Sequence, residues 1–269
     1  MSNHKPQILL TNDDGIDSPG LWAAAEALSE LGYVWVAAPR DQASSTGRSM
    51  PMSSDGKITI KQMHVNGQDW VVHAVGGTPA QTVLHAIHEI VGQPVDLVVS
   101  GINYGLNIGL SVTVSGTVGA AIEGVANGVP SIAVSLETAQ EHFFSHSEEI
   151  DFSAAAHFTK EFAGYLLDPK VDLGTNLLKI EVPEDATRET EWKFCRMSVE
   201  PFYQSFSEGP RDWDQPYKLN YSTREDFENF EPGTDLYVTL VERKVAVTPM
   251  TLDMTAPVAF EKIREQLKS

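Results

Sequence analysis

The sequence has little from which to build a disulfide, a thiolate metal site or a membrane span. Its 269 residues contain one cysteine, Cys195, so no intramolecular disulfide can form and a cysteine-rich metal site is excluded. No stretch approaches the roughly 18 consecutive apolar residues that a membrane span needs. The first residues carry no apolar signal region before the first predicted strand. We therefore expect a cytoplasmic protein without a membrane partner.

Basic residues are also scarce. Lys and Arg together number 19 against 37 Asp and Glu, which gives a formal net charge of −18. A chain without a basic face has no surface suited to duplex nucleic acid or to an anionic membrane. A phosphate-binding site in so acidic a protein would need a local positive device, either a metal cation or a helix N-terminus.

The first two-thirds of the chain alternates strand patterns with helical patterns, which is typical of parallel βαβ units. The predicted fold class is α/β, with a Rossmann-like, mostly parallel sheet flanked by helices. Strands are predicted at residues 8–11, 33–38, 95–100, 131–135 and 177–182, a β-hairpin at 58–63 and 70–74, and helices at 19–31, 79–90, 116–127 and 151–167.

The pattern changes after Pro183. Residues 184–234 are acidic and aromatic without clear periodicity, and we predict extended arms there rather than a second sheet with its own core. A strand is predicted at 236–247 and a terminal helix at 257–267. The domain prediction is a Rossmann-like catalytic domain at 1–183. Residues 184–269 are predicted to supply arms, a closing strand and a helix for oligomerisation, without forming an independent domain.

Oxygen-bearing side chains follow the ends of three predicted strands. Asp13 and Asp14 come directly after the first strand, Ser44 lies in the long loop after the second, and Asn103 lies in a glycine-rich loop after the strand at 95–100. Ligands bind at this edge of an open α/β sheet. Two adjacent acids repel each other unless a cation lies beside them, and such oxygen ligands suit Mg²⁺ or Mn²⁺. Each residue alone also fits an ordinary turn; the combination predicts a metal site.

A possible anion site begins at Ser115. Ser115, Gly116 and Thr117 open a predicted helix, where unpaired backbone N–H groups and the helix dipole favour a phosphate. A simple N-cap on a helix of small residues is the alternative interpretation, and both can hold together.

Several motifs in the same order resemble the SurE family of survival-protein nucleotidases. The resemblance covers nearly the whole chain, and the pairing of Asn-Asp-Asp-Gly with Ser-Gly-Ile-Asn is specific to it. The segments that carry the resemblance are residues 8–21, 38–39 with Ser44 and 46–49, 76–80, 99–109, 115–118 and 247–255.

The resemblance implies hydrolysis of nucleoside 5′- and 3′-monophosphates by a Rossmann-like domain whose C-terminal arms are exchanged within a homodimer or homotetramer. It implies one divalent metal cation per subunit, Mg²⁺ or Mn²⁺, and a nucleoside monophosphate as the substrate. The matching metal ligands are Asp13, Asp14, Ser44 and Asn103, and the positions that match phosphate contacts are Asn107, Ser115, Gly116 and Thr117.

For the mechanism, we expect Asp13 and Asp14 to be the catalytic pair. Asp14 is the candidate to orient or deprotonate the attacking water, with a covalent aspartyl-phosphate on Asp14 as the alternative. A haloacid-dehalogenase-type phosphatase is a second enzymatic interpretation, but that class requires Asp-x-Asp, which the sequence around Asn12 does not offer. A non-catalytic nucleotide-binding module is the third, and it predicts binding without turnover.

The chain departs from the family pattern in the loop that carries Ser44. Arg40 and Asp41 stand where an acid followed by a basic residue is usual, and Ala43 stands where a basic residue often precedes the serine. Arg48 is the nearest remaining cation in that loop. These departures leave the predicted metal ligands intact and bear on substrate preference.

Overall fold

A nine-stranded, mostly parallel sheet forms the centre of the fold in the computed structural model, which describes residues 5–143, 146, 147 and 149–268. The described strands are β1 (Gln7–Thr11), β2 (Tyr33–Pro39), β3 (Ile58–Val65), β4 (Gln68–Val75), β5 (Leu97–Tyr104), β6 (Ser131–Leu136), β7 (Leu177–Val182), β8 (Trp192–Phe194), β9 (Tyr203–Phe206), β10 (Asn220–Thr223) and β11 (Val245–Met250). Their order in the main sheet is β3-β4-β2-β1-β5-β6-β7-β11-β8, and β9 and β10 pair with each other in a separate sheet.

Helices cover both faces of this sheet. Among the described residues they are α1 (Pro19–Ser29), α2 (Pro79–His85, continued by a π-helical turn at Ala86–Ile90), α3 (Gly116–Ala126), α4 (Ser153–Leu167) and α5 (Asp235–Leu240). A further α-helix, α6 (Phe260–Gln266), has no buried residue. Helices α1 and α4 pack together in the larger apolar cluster, while α2 and α3 pack together in a separate one. The predicted α/β fold with a mostly parallel sheet is therefore confirmed.

Local sequence accounts for the elements that lead to the sheet edge. Ile8, Leu9 and Leu10 are all 0% exposed, as expected for a parallel strand covered on both faces. Helix α1 starts with Pro at its first position, where the missing N–H costs nothing. The hairpin between β3 and β4 turns at Asn66 and Gly67, whose φ values of 50° and 78° suit the tight turn predicted there.

The predicted strand at 236–247 is wrong over its first half, because residues 235–240 form α5 and β11 starts only at Val245. The β-branched and aromatic run favours a strand by propensity. However, the Thr234 side chain accepts a hydrogen bond from the N–H of Tyr237 and caps a helix, and Asp235 is buried beside Lys179. Capping and tertiary contact outweigh the local preference. The terminal helix α6 is also shorter than predicted.

The segment between residues 184 and 234 contributes to two sheets. Strand β8 joins the main sheet beside β11, and β9 pairs antiparallel with β10 in a separate two-stranded ribbon whose side chains are largely exposed. The segment thus adds one strand to the main sheet and one exposed two-stranded ribbon. Across the described parts of the chain, no helix is both long enough and apolar enough to cross a bilayer.

Candidate metal and phosphate site

The two acids after β1 are fixed by a turn that the preceding asparagine closes. Asn12 donates from Nδ2 to the carbonyl of Gly15 at 3.0 Å and accepts from the N–H of Gly15 at 3.1 Å. Both bonds are buried, and Gly15 has a φ of 100°, which favours glycine. Asp13 and Asp14 are consequently held at the carboxyl edge of the sheet, only 5% and 2% exposed.

Three separate segments contact these carboxylates. The Thr117 hydroxyl at the start of α3 donates to Asp13 Oδ1 at 2.6 Å. Gln42, in the loop after β2, donates from Nε2 to Asp14 Oδ1 at 3.2 Å, and the N–H of Tyr104 at the end of β5 donates to Asp14 Oδ2 at 3.4 Å. The convergence that parallel topology predicts is therefore present around the acid pair.

Burial makes the acid pair electrostatically unfavourable without a cation. Burial raises the pKa of Asp13 from 3.8 to about 6, with the Thr117 hydrogen bond acting in the opposite direction. Burial and the charge of Asp13 both raise the pKa of Asp14 well above its ordinary value. Within the described residues, no Lys or Arg forms an ion pair with either carboxylate. An exogenous cation between them would satisfy both.

The two other predicted ligands are next in sequence to residues that contact this pair, Ala43 and Tyr104. Ser44 is exposed and follows Ala43, whose N–H donates to the Asp13 carbonyl at 2.8 Å. Asn103, near the end of β5 rather than in the predicted loop, donates from Nδ2 to the carbonyls of Tyr104 and Gly105 at 3.1 and 2.6 Å. Both bonds use the amide nitrogen, so neither occupies the Oδ1 oxygen.

A metal centre at this edge has to be completed by neutral oxygen ligands. In the portion of the chain that the structure describes, no three His, Cys, Asp or Glu side chains cluster as a metal site. The donor set offered by Asp13, Asp14, Ser44 and Asn103 consists of two carboxylates, one hydroxyl and one amide. This chemistry fits a hard cation such as Mg²⁺ or Mn²⁺ and disfavours zinc.

The start of α3 presses directly against Asp13. Ser115 is the N-cap, and its side chain accepts a hydrogen bond from the N–H of Val118 at 3.1 Å, so the capping interpretation is correct. An ideal Cβ added to Gly116 would lie 2.7 Å from Asp13 Cβ, which leaves room for glycine alone. The predicted anion site at Ser115–Thr117 thus adjoins the acid pair.

Asn107 occupies the same edge, further along the glycine-rich loop. Its Nδ2 donates to Ser135 Oγ at 3.0 Å, and its N–H donates to Glu181 Oε2 at 2.8 Å. Ser135 lies on β6 and Glu181 on β7, so these two strands hold Asn107 in place.

The loop after β2 is fastened to α3. The N–H of Gly47 donates to the Val114 carbonyl at 2.9 Å, and an ideal Cβ on Gly119 would lie 2.3 Å from the Gly47 carbonyl oxygen. Arg48, the nearest cation that the sequence offered, pairs with the buried Glu123 at 2.6 Å. Arg48 therefore braces the loop against α3.

Two residues near Asp14 escaped prediction. Besides its bond to Asp14, Gln42 donates to the carbonyl of Phe143 at 2.9 Å, and His146 Nε2 lies 2.9 Å from the Asp14 carbonyl oxygen. Neither residue was assigned a role from the sequence. The contacts join residues 28 and 132 positions apart, and no local pattern marks either residue.

The position of the site within the sheet defines the class of the protein. Strand β1 is flanked by β2 on one side and β5 on the other, so the chain order reverses between β1 and β5. Asp14 and Tyr104 meet across this switch point, where ligands bind in doubly wound α/β folds. The chain is a Rossmann-like α/β protein with an acidic site at the switch point of its sheet.

Comparison with known proteins gives the family. The family described as "Survival protein SurE" matches residues 8–204, and the chain belongs to it. The chain is 43% identical to the 5′-nucleotidase SurE of Thermococcus gammatolerans, with 97% of this chain and 96% of that protein covered. It is 38% identical to the 5′-nucleotidase SurE of Archaeoglobus fulgidus, with 95% of each covered. The crystal structure of the SurE protein from Aquifex aeolicus matches with a TM-score of 0.74 at 31% identity, covering 98% of each chain.

Proposed function

We propose that this chain is a divalent-metal-dependent phosphomonoesterase that hydrolyses nucleoside 5′-monophosphates, and also 3′-monophosphates, to nucleoside and phosphate. The observation that carries the proposal is the buried pair Asp13 and Asp14, which has no cationic side-chain partner among the described residues and adjoins a helix N-terminus. Relatives that match over nearly their whole length are 5′-nucleotidases, which supports this activity.

The metal ligands in this proposal are Asp13, Asp14, Ser44 and Asn103, which would hold one Mg²⁺ or Mn²⁺ per subunit. A divalent cation bound there supplies Lewis-acid stabilisation of phosphate charge and lowers the pKa of a bound water. The raised pKa values of both carboxylates fit this assignment, since the pair needs a positive neighbour in order to remain ionised.

The chain's own residues orient the carboxylates, activate the water and bind the phosphate. Thr117 fixes the Asp13 carboxylate, and Gln42 and the N–H of Tyr104 fix that of Asp14. Asp14 orients or deprotonates the attacking water. Backbone N–H groups at the start of α3 bind the phosphate, with Asn107 as a further contact. A covalent aspartyl-phosphate would instead appear as a phosphoryl group trapped on Asp14 after rapid quenching.

A cavity at the same edge of the sheet has room for the nucleoside. Its volume is about 790 Å³, within the range of small-molecule sites. Gln42 links it to the acid pair, because one side-chain amide donates both to Asp14 and to the carbonyl of Phe143 on the cavity wall. Aromatic rings can stack on a nucleobase. Six of the lining residues are Leu106, Phe143, Phe202, Tyr203, Tyr221 and Arg224.

The expected homodimer or homotetramer with exchanged arms also belongs to this proposal. Its support is the exposure of the chain end: Met254 is 87% exposed, Phe260 66% and Leu267 82%. Large apolar side chains in such a run favour a covering partner. Light scattering of the whole chain and of a truncation after Met250 tests the assembly. If the truncated chain kept the same number of subunits per particle, the C-terminal segment would not be part of the interface.

A substrate panel tests the function. Nucleoside 5′- and 3′-monophosphates are assayed with Mg²⁺, with Mn²⁺ and with excess chelator, and we expect turnover with either metal and none with chelator. Nucleotide binding without turnover under every condition would favour the non-catalytic module instead. Undiminished turnover in chelator would contradict the metal site.

A further inference from the structure

A buried cluster of three charges lies against the glycine-rich loop. Lys179 Nζ is 2.9 Å from Asp235 Oδ2 and 3.3 Å from Glu181 Oε1, and all three side chains are 0% exposed. Lys179 and Glu181 lie on β7, and Asp235 opens α5. Burial alone would lower the pKa of Lys179, but the two carboxylates raise it above its ordinary value, so the cation persists.

The carboxylates of this cluster also accept hydrogen bonds from two amides of the loop. Glu181 Oε2 accepts from the N–H of Asn107 at 2.8 Å, and Asp235 Oδ2 accepts from the N–H of Gly109 at 2.9 Å. The second oxygen of Asp235 accepts from the N–H of Ser198 at 2.8 Å. Buried ions are costly unless their remaining lone pairs are satisfied, so these amides are integral to the cluster.

We propose that Lys179, Glu181 and Asp235 are positioning residues that hold Asn107 where it binds the phosphate of the substrate. This inference rests on the proposed function. Charge-assisted hydrogen bonds to backbone amides fix the loop, while Lys179 pairs with both carboxylates and orients them. The cluster has no part in the chemistry itself.

The metal half of the site has independent support. Asn103 is held by its own bonds to the carbonyls of Tyr104 and Gly105, and Asp13 is held by Thr117. The cluster should therefore govern phosphate affinity without governing metal affinity. A residue that only stabilised the fold would not separate the two.

Glu181→Met tests this separation, with Glu181→Gln as the matched control that retains an acceptor for the N–H of Asn107. For Glu181→Met we expect KM for a nucleoside monophosphate, and the inhibition constant of inorganic phosphate, to rise about tenfold, or about 1.4 kcal/mol. We expect kcat and the Kd of Mn²⁺ to stay near wild type, and Glu181→Gln to restore KM. Wild-type KM in folded Glu181→Met would overturn the proposal, and so would a parallel loss of Mn²⁺ affinity.

An all-apolar cluster keeps the test decisive if Glu181→Met does not fold. Replacing a complete buried ion network by apolar residues of similar volume is often neutral or stabilising, so we expect Lys179→Met/Glu181→Met/Asp235→Leu to fold. It lacks both acceptors for the loop, and its KM should rise at least as much. A folded triple variant with wild-type KM would refute the positioning role, whereas wild-type protein inactive on the whole substrate panel would refute the proposed function itself.

Discussion

Adding one methyl group at Gly116 tests whether the close contact between α3 and Asp13 is needed for the position of the acid pair. An ideal Cβ there would lie 2.7 Å from Asp13 Cβ and 2.8 Å from Asp13 Oδ2. Favourable contact between carbon atoms needs about 3.5–4.0 Å, so Gly116→Ala must move either Asp13 or the start of α3 by roughly 1 Å.

The consequences for stability and catalysis can be estimated separately. Overpacking of a buried site costs about 1–3 kcal/mol, and each kcal/mol lowers Tm by about 2–4 °C in a large domain. A misplacement of roughly 1 Å can reduce catalysis about 100-fold. Gly116→Ala should therefore lose about two orders of magnitude in kcat/KM while remaining folded at assay temperature.

Gly164 supplies the matched control, because it lies within α4 and an added Cβ would meet no heavy atom within 4 Å beyond its chain neighbours and the nearby backbone of its own helix. Gly164→Ala should keep wild-type activity and gain up to about 1 kcal/mol of stability from helix propensity. The assay measures kcat/KM and, by calorimetry, the Kd of Mn²⁺ for both variants. If both values for Gly116→Ala matched those for Gly164→Ala, the reasoning from this close contact would be refuted.

Three further predictions concern the carboxylates. Asp13→Asn and Asp14→Asn should each abolish phosphatase activity in steady-state assays, and near wild-type turnover in either would contradict the scheme. Thr117→Val should weaken Mn²⁺ binding measured by calorimetry, because Asp13 loses its 2.6 Å hydrogen bond; unchanged binding would show that the hydroxyl does not orient Asp13. Burial raises the pKa of Asp13 from 3.8 to about 6, so the folded metal-free chain holds this proton more tightly than the unfolded chain. Its contribution to stability should fall as pH rises from about 4 to about 6, by on the order of 3 kcal/mol. Melting curves of metal-free wild type and Asp13→Asn should diverge across that window, and identical pH dependence would contradict the raised pKa.

The parts of the fold that sequence reasoning predicted are those in which local pattern and tertiary environment agree. Strand β1 is apolar throughout because both of its faces are covered, and the acids that follow it fall at the sheet edge for that reason. The αβ alternation then brings Asn103 and Thr117 to the same edge. These inferences needed only periodicity and the rule that parallel strands share an edge.

The parts that were missed depend on contacts between distant residues. Helix α5 looks like a strand until Asp235 is placed beside Lys179, 56 positions earlier in the chain. Gln42 and His146 reach Asp14 through loops whose paths no local pattern encodes. On sequence grounds Arg48 was only the nearest cation in its loop, and the packing of that loop against α3 directs it to Glu123.

The attachment of the long loop to α3 affects the entropic cost of binding a ligand. The Gly47 amide, the missing side chain of Gly119 and the Arg48 ion pair fasten the segment that carries Ser44 to the helix that carries Thr117. A loop held by such contacts has less main-chain freedom to lose when substrate binds, which lowers the ordering cost of association. Discrimination among nucleotides would then depend on the fit of the base and sugar to walls already in place.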